Sequence, residues 1–428
     1  MFDKKIDILI FFILIQANLF GYIDPGTGSL LFSALFGIIG TLFFLSKALL
    51  IKLKTMSFSK NKSIDTEASK KARIIIYGED KRYCNVFKPI IEELIKLEMP
   101  VIYYSSSEDD PIFEIKNDLL HTEFIGVGNK AYAKLNFIEA DICLMTTPNL
   151  DVFQLKRSKG VKKYIHIFHA PNEASLYCLY SLDFFDAVLL SGENQISDIR
   201  ELENTRNTKL KDLEIIGSTY LDELNKKKEA ASKSITKVQN KKTVLIAPSW
   251  GMNGLLTRFG EKIIDPILES GYYVIIRPHP QSSISERDML ERLKNKYKNN
   301  ADIEWDFNID NIYSLSKADV MISDFSGVIF DYAFLFDKPA IIPSFSFDKR
   351  GYDAFELKEE TWTFKTLPNI SISIDENNFS NISSIIEYAI NNNELKNNII
   401  KAKEEAYKFQ GEAAKNGALV LKTYLESV

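Results

Sequence analysis

From residue 73 onward, short apolar runs alternate with longer amphipathic stretches. The runs at 73–77, 101–104, 141–145, 164–168 and 187–190 are almost continuous in Ile, Val, Leu and Tyr and predict strands. Between them, segments such as 86–97 predict helices. Strands that are apolar throughout, rather than on alternate residues, belong in a parallel sheet covered on both faces. Residues 73–225 therefore read as a Rossmann-like domain. The pattern stops near Lys226, and 226–242 is rich in Lys, Ser, Ala and Gln, as expected of a linker. Alternation then resumes, with strands expected at 243–247, 272–276, 319–322 and 338–342, so that 243–428 forms a second α/β domain. A charged helical stretch at 395–425 closes the chain and is long enough to cross both domains.

The N-terminus follows a different rule. Residues 8–23 and 25–46 carry no charge, and Lys47, Lys52 and Lys54 come next. The second segment can cross about 30 Å of hydrocarbon at about 1.5 Å per residue. Lysines beyond it mark a cytoplasmic flank. Residues 1–55 are thus expected to form a membrane anchor: a signal-like first segment, preceded by Lys4 and Lys5, and a transmembrane helix. The polar stretch 56–72 is expected to be a tether. This places the folded domains on the cytoplasmic face of the membrane.

Composition narrows the functions available. With 45% hydrophobic residues, 26% charged residues and a net charge of −5, the chain is globular and unsuited to bulk nucleic-acid binding. Three cysteines in apolar surroundings, none in a CxxC pair, suggest neither zinc nor redox chemistry. No GxxxxGK[ST] loop, HExxH or metal-spaced His cluster occurs, so no tightly held metal or cofactor is expected.

In open parallel sheets, ligands lie beyond the carboxyl ends of the strands. Four polar segments fall at such ends: His166 to Pro171, Ala247-Pro248-Ser249-Trp250, Arg277-Pro278-His279-Pro280 and Ser323-Asp324-Phe325-Ser326-Gly327. The last precedes an apolar run at 328–336 that reads as a helix. The free amides and positive dipole end of its N-terminus suit a phosphate, with Ser323 and Ser326 as donors and Gly327 allowing close approach. An N-cap formed for local reasons accounts for the same Ser and Asp equally well. Arg277 is able to fork onto a pyrophosphate, and His279 to stabilise a departing phosphate or move a proton. His169, at the end of its strand, faces the expected cleft as a base for an acceptor hydroxyl. His166, inside the strand, reads as a core histidine satisfied by its neighbours. His121 has no chemistry nearby that the sequence reveals.

Taken together, these segments resemble the CDP-glycerol glycerophosphotransferase family of teichoic-acid and capsule polymer synthesis. The resemblance covers residues 162–344. It is carried by Ala247-Pro248-Ser249-Trp250, Arg277-Pro278-His279-Pro280 and Ser323-Asp324-Phe325-Ser326-Gly327, followed by Phe330-Asp331-Tyr332-Ala333. It implies a GT-B-like fold of two Rossmann-like domains with the acceptor site in the first and the nucleotide site in the second. It further implies that His279 contacts the pyrophosphate of the donor. Ser249, Arg277, Ser323, Asp324 and Ser326 would help bind nucleotide and phosphates, with His169 as base. The implied donor is CDP-glycerol or a similar nucleotide-activated alcohol, and the acceptor is a lipid-linked or polymer hydroxyl at the bacterial cytoplasmic membrane. Three departures from the family pattern stand beside this resemblance. Gly251 stands where the family often has Arg, Phe168-His169-Ala170-Pro171-Asn172 replaces Trp-His-Gly-Thr-Pro, and no Pro-Arg follows Gly217. Two other readings share these features: a GT-B glycosyltransferase using a nucleotide sugar, and a catalytically silent membrane scaffold of polymer synthesis.

Overall fold

The computed structural model describes residues 72–172, 174–231, 241–308, 310–344 and 347–427. The predicted anchor at 1–55, the tether up to residue 71 and most of the predicted linker lie outside the described residues. Among those described, no helix is long and apolar enough to cross a membrane.

The first sheet is built from β1 (Ile74–Gly78), β2 (Val101–Ser105), β3 (Leu120–Phe124), β4 (Glu139–Met145), β5 (Gly160–Ile167), β6 (Ala187–Leu190) and β7 (Asp212–Ile215). Its seven strands run in the order β3-β2-β1-β4-β5-β6-β7, all parallel. A second sheet uses β8 (Thr243–Ile246), β9 (Tyr273–Ile276), β10 (Ile303–Trp305), β11 (Val320–Ile322), β12 (Ala340–Pro343) and β13 (Ser371–Ile374). Its order, β10-β9-β8-β11-β12-β13, repeats the same plan, again wholly parallel. Each sheet reverses its strand order beside its first strand, and that switch is where such sheets bind ligands.

Burial follows from the apolar runs. Along β1, Ile74 and Ile76 enter the core on one face of the sheet, and Ile75 and Tyr77 enter the core on the other. In β8, Leu245 and the following Ala247 face one core, Val244 and Ile246 the opposite one. This period of two with both faces covered is the reason these strands have no polar positions. The edge strands β3, β7, β10 and β13 lack such runs and escape sequence detection, because a half-covered edge tolerates the polar residues of Leu120–Phe124 or Asp212–Ile215. His121 lies inside β3.

Two helices tie the halves together. The helix Thr219–Ala231 runs through the start of the stretch read as a linker, since Lys, Glu and Ala are strong helix formers. It places Leu221 and Leu224 in a core of the second sheet. The terminal helical stretch is two helices, Asn393–Ala406 and Ala413–Ser427. Between them Phe409 and Gly411 take left-handed backbone angles. The last helix then returns to the first sheet, burying Ala418, Leu421, Tyr424 and Leu425 there. The Asp222 carboxylate accepts from the Gly411 amide at 2.7 Å and the Ala413 amide at 3.0 Å, capping that helix across the crossover. Gly192 is needed at the same junction: a Cβ there would lie 2.2 Å from the Glu405 carbonyl.

Candidate functional site

Strand register assembles the site on the second sheet. Ile246 is level with Ile276 on one side and Ile322 on the other. Ala247, Arg277 and Ser323 consequently leave three adjacent strands at one height, which brings together three motifs that lie 30 and 46 residues apart along the chain. Asp324 locks two of them. Buried, it accepts from the Ser249 amide at 2.9 Å and the Leu255 amide at 3.0 Å. Burial raises its pKa, and those amides pull it back down. Ser323 Oγ is likewise directed at protein, donating to the Ala247 carbonyl at 2.6 Å.

Arg277 differs from the expectation of a pyrophosphate fork. Its guanidinium donates to Asp306 at 2.7 Å and to the Asn308 carbonyl at 2.8 Å, bracing the loop after β10. Asp306 is fully buried and also accepts from Ser314, so it is the stronger claim on this cation. In this structure Arg277, Ser323 and Asp324 shape the loops. The loops so shaped carry His279, Ser249, Ser326 and Gly327.

His279 is oriented by its own loop. Its Nδ1 accepts from the Gln281 amide at 3.1 Å. A backbone amide can only donate, so in the neutral ring the proton sits on Nε2, making that nitrogen a donor suited to a phosphate oxygen. The Trp250 ring lies 6.4 Å away, tilted by 32°. Glu286 accepts from the Gly251 amide and the Thr257 hydroxyl, holding the loop that carries Trp250. Beside this, the helix Val328–Phe336 begins at Gly327 with no side chain capping its amides. An uncapped N-terminus is an anion seat.

The first sheet contributes the opposite wall. His169 leaves β5 and packs against Tyr83, their rings 5.0 Å apart, with its Nδ1 3.2 Å from the Tyr177 hydroxyl. The loop His169-Ala170-Pro171-Asn172 is held from below: Asn194 donates to the Pro171 carbonyl at 2.9 Å and Gln195 to the Asn172 carbonyl at 2.7 Å. It reaches the second half, where the Asn172 amide oxygen lies 3.7 Å from the position of a Cβ on Gly327. His166 is buried in the core as expected, but it is not satisfied. Neither ring nitrogen has a hydrogen-bond partner, and Phe168, Tyr177 and Phe185 enclose it edge-on.

One cation acts on both walls. Burial lowers the pKa of His169 to about 4, with the Arg82 charge adding to the effect. His279 is lowered too, by burial first and Arg82 second, with Glu286 opposing. Both imidazoles are therefore neutral at pH 7. Arg82 and Tyr83 belong to the turn after β1 and carry no motif; applying the strand-end rule to β1 finds them. Tyr177, Asn194, Gln195 and Glu286 act through other residues and leave no sequence signal. Among the described residues no group of three or more His, Cys, Asp or Glu is placed to hold a metal ion.

Residues 180–417 match the family described as CDP-Glycerol:Poly(glycerophosphate) glycerophosphotransferase. A comparison with curated proteins finds no match. Among solved structures, the fold is similar to that of the wall teichoic acid polymerase TagF, with TM-score 0.56, 16% identity, 90% of this chain and 97% of that chain covered. The UDP-GlcNAc 2-epimerase of Methanocaldococcus jannaschii, in complex with UDP-GlcNAc and UDP, gives TM-score 0.52 at 15% identity, covering 82% and 99%. A 2-epimerase from Listeria monocytogenes gives 0.53 at 13% identity, covering 84% and 97%. At such identities these likenesses establish the two-sheet GT-B-like fold alone.

Proposed function

The chain belongs to the CDP-glycerol:poly(glycerophosphate) glycerophosphotransferase family, and from that premise we propose that it moves glycerol phosphate, or a related polyol phosphate, from a CDP-alcohol to a hydroxyl of a cell-surface polymer or lipid-linked acceptor. The acceptor oxygen attacks the phosphorus bearing the glycerol. The anhydride P–O bond breaks, and CMP leaves with the electron pair. The acceptor proton passes to Nε2 of His169, while Nε2–H of His279 and the amides at Gly327 meet the phosphate oxygens. Arg82 supplies positive charge to the cleft. Positioning and charge stabilisation carry most of such a reaction, and no covalent enzyme intermediate is required.

The observation that carries this reading is the division of labour between the two histidines. Gln281 obliges His279 to be a donor at Nε2, whereas His169 has a hydroxyl at Nδ1, a partner compatible with a free Nε2 lone pair. The first domain is then the acceptor side and the second the nucleotide side. The two uncharged segments at 8–23 and 25–46, followed by lysines, support attachment to the bacterial cytoplasmic membrane with the catalytic domains on its inner face.

The test is product analysis of detergent-solubilised protein given CDP-glycerol, CDP-ribitol and a panel of nucleotide sugars with membrane extract as acceptor. CMP released from a CDP-alcohol is the expected result. A nucleoside diphosphate released from a sugar donor would make the chain a glycosyltransferase, and no product from any donor would favour a scaffold.

A further inference from the structure

We infer that Tyr177 is a positioning residue for His169, its hydroxyl accepting the Nδ1–H so that the Nε2 lone pair is presented to the cleft. The inference deepens the assignment of His169 as base and rests on it. Three observations carry it.

First, the partner on Nδ1 decides what a cleft histidine can do. At His279 the partner is an amide, which permits a donor at Nε2 and forbids a lone pair there in the neutral ring. At His169 it is a hydroxyl, able to accept, so of these two imidazoles only His169 can offer an Nε2 lone pair. The separation of 3.2 Å lies within the range of N–H···O bonds.

Second, the Tyr177 oxygen is held in place from the other half of the molecule. The Asp353 amide donates to the Tyr177 carbonyl at 3.0 Å, and the Leu179 amide to the Gly351 carbonyl at 3.1 Å. The Asp353 carboxylate takes the Tyr180 amide at 2.7 Å and the Ser181 amide at 3.2 Å, and Arg206 bonds to it at 2.6 Å. A tyrosine anchored at its own backbone and through the residues that follow it can hold a ring in one orientation, whereas one on an untethered loop cannot.

Third, among the described residues no carboxylate is hydrogen-bonded to the His169 ring. The titratable and charged groups placed around it are Arg82 and Tyr83 from the turn after β1, His166 from β5 and Tyr177 itself. None of them but Tyr177 touches Nδ1 by a hydrogen bond. When Nε2 takes the acceptor proton, the imidazolium keeps its Nδ1–H on the Tyr177 oxygen.

Tyr177→Phe preserves the ring and its stacking on His169 and removes the acceptor. We expect kcat with CDP-glycerol to fall at least 10-fold with KM changed less than twofold. The ascending limb of the pH–kcat profile should move to lower pH, because the imidazolium loses the group that stabilised it. An unmoved limb, or one displaced upward, overturns the inference. A readout independent of turnover comes from the full chain labelled with 15N-histidine, which contains four histidines, with His169 assigned by loss of its signal in His169→Asn. At pH 7 His169 should be protonated on Nδ1, and Tyr177→Phe should raise the Nε2–H population. Protonation on Nε2 in the parent protein overturns the role given to Tyr177 even if the enzyme is active. A parent protein inert toward every CDP-alcohol would instead refute the donor reading, and the nitrogen spectrum would still judge Tyr177.

Discussion

His166 shows what one residue costs when its neighbours are apolar. Both nitrogens lack partners, and burial drives its pKa to about 3, helped by His169. Between that value and the ordinary one near 6.5 the unfolded chain binds a proton that the folded chain refuses. Stability contributed at neutral pH is therefore lost as pH falls from about 6.5. His166→Leu should unfold no more easily than the parent at pH 7.5, since no hydrogen bond is broken. At pH 5 it should be more stable by about 2 kcal/mol, the linkage energy of about one and a half pKa units. Urea titrations of both proteins at the two pH values check this; a variant weaker at pH 5 would mean that the ring has a partner. Nothing in Tyr164-Ile165-His166-Ile167 announces an unsatisfied histidine, because its enclosure comes from Tyr177 and Phe185 on other segments. His169 was legible because it ends a strand, where a polar side chain has no packing reason to be.

At the scale of elements, strand register does what no single motif does. The runs before Ala247, Arg277 and Ser323 were readable as buried strands, and each motif was recognisable at its end. Their convergence depends on Ile246 standing level with Ile276 and Ile322, which no local pattern encodes. The same loss of information hides the protein partners of Arg277, Ser323 and Asp324. Their chemistry suits a phosphate, but the spacing between motifs does not reveal that Asp306, the Ala247 carbonyl and the Ser249 amide lie closer. Asp324 is accordingly a clamp between the β8 and β11 loops. Asp324→Ala should strand two amides and cost about 2 kcal/mol or more in denaturant unfolding. It should also weaken CDP-glycerol binding by calorimetry, because Ser249 and Trp250 lose their anchor. A loss below about 0.5 kcal/mol would refute the clamp.

For the whole molecule, the decisive feature is how the second half is docked on the loop that carries Tyr177. Cys178 pairs with Tyr352 in a lone antiparallel bridge. Beside it Arg206, with its side chain 7% exposed, binds Asp183 at 2.7 Å, Asp353 at 2.6 Å and Glu356 at 2.8 Å. Removing the cation leaves three clustered acids without compensation, so Arg206→Ala should cost about 3 kcal/mol. Arg206→Lys should recover little of it, since a compact ammonium cannot reproduce the planar spread of donors with which the guanidinium reaches its three partners. Equal stability of Arg206→Lys and the parent would contradict that geometry. Two parallel sheets were legible from apolar runs; their strand order and this docking were not, because Arg206 and Asp353 are ordinary surface-type residues in the sequence and become buried only when the halves meet. The terminal stretch at 395–425 was expected to cross both domains, but the Gly192 and Asp222 contacts that seat the crossing escaped for the same reason.

The central claim is that a polyol phosphate leaves a CDP-alcohol for an acceptor hydroxyl with His169 as base. The measurement that tests it most directly follows CDP-glycerol labelled in the glycerol, counting CMP released against label fixed in the acceptor, for the parent protein and His169→Asn alongside calorimetric binding of the donor. The account predicts one CMP for each glycerol transferred in the parent, loss of both in the variant, and donor affinity retained. Turnover undiminished in His169→Asn, or label fixed without equivalent CMP, would contradict it.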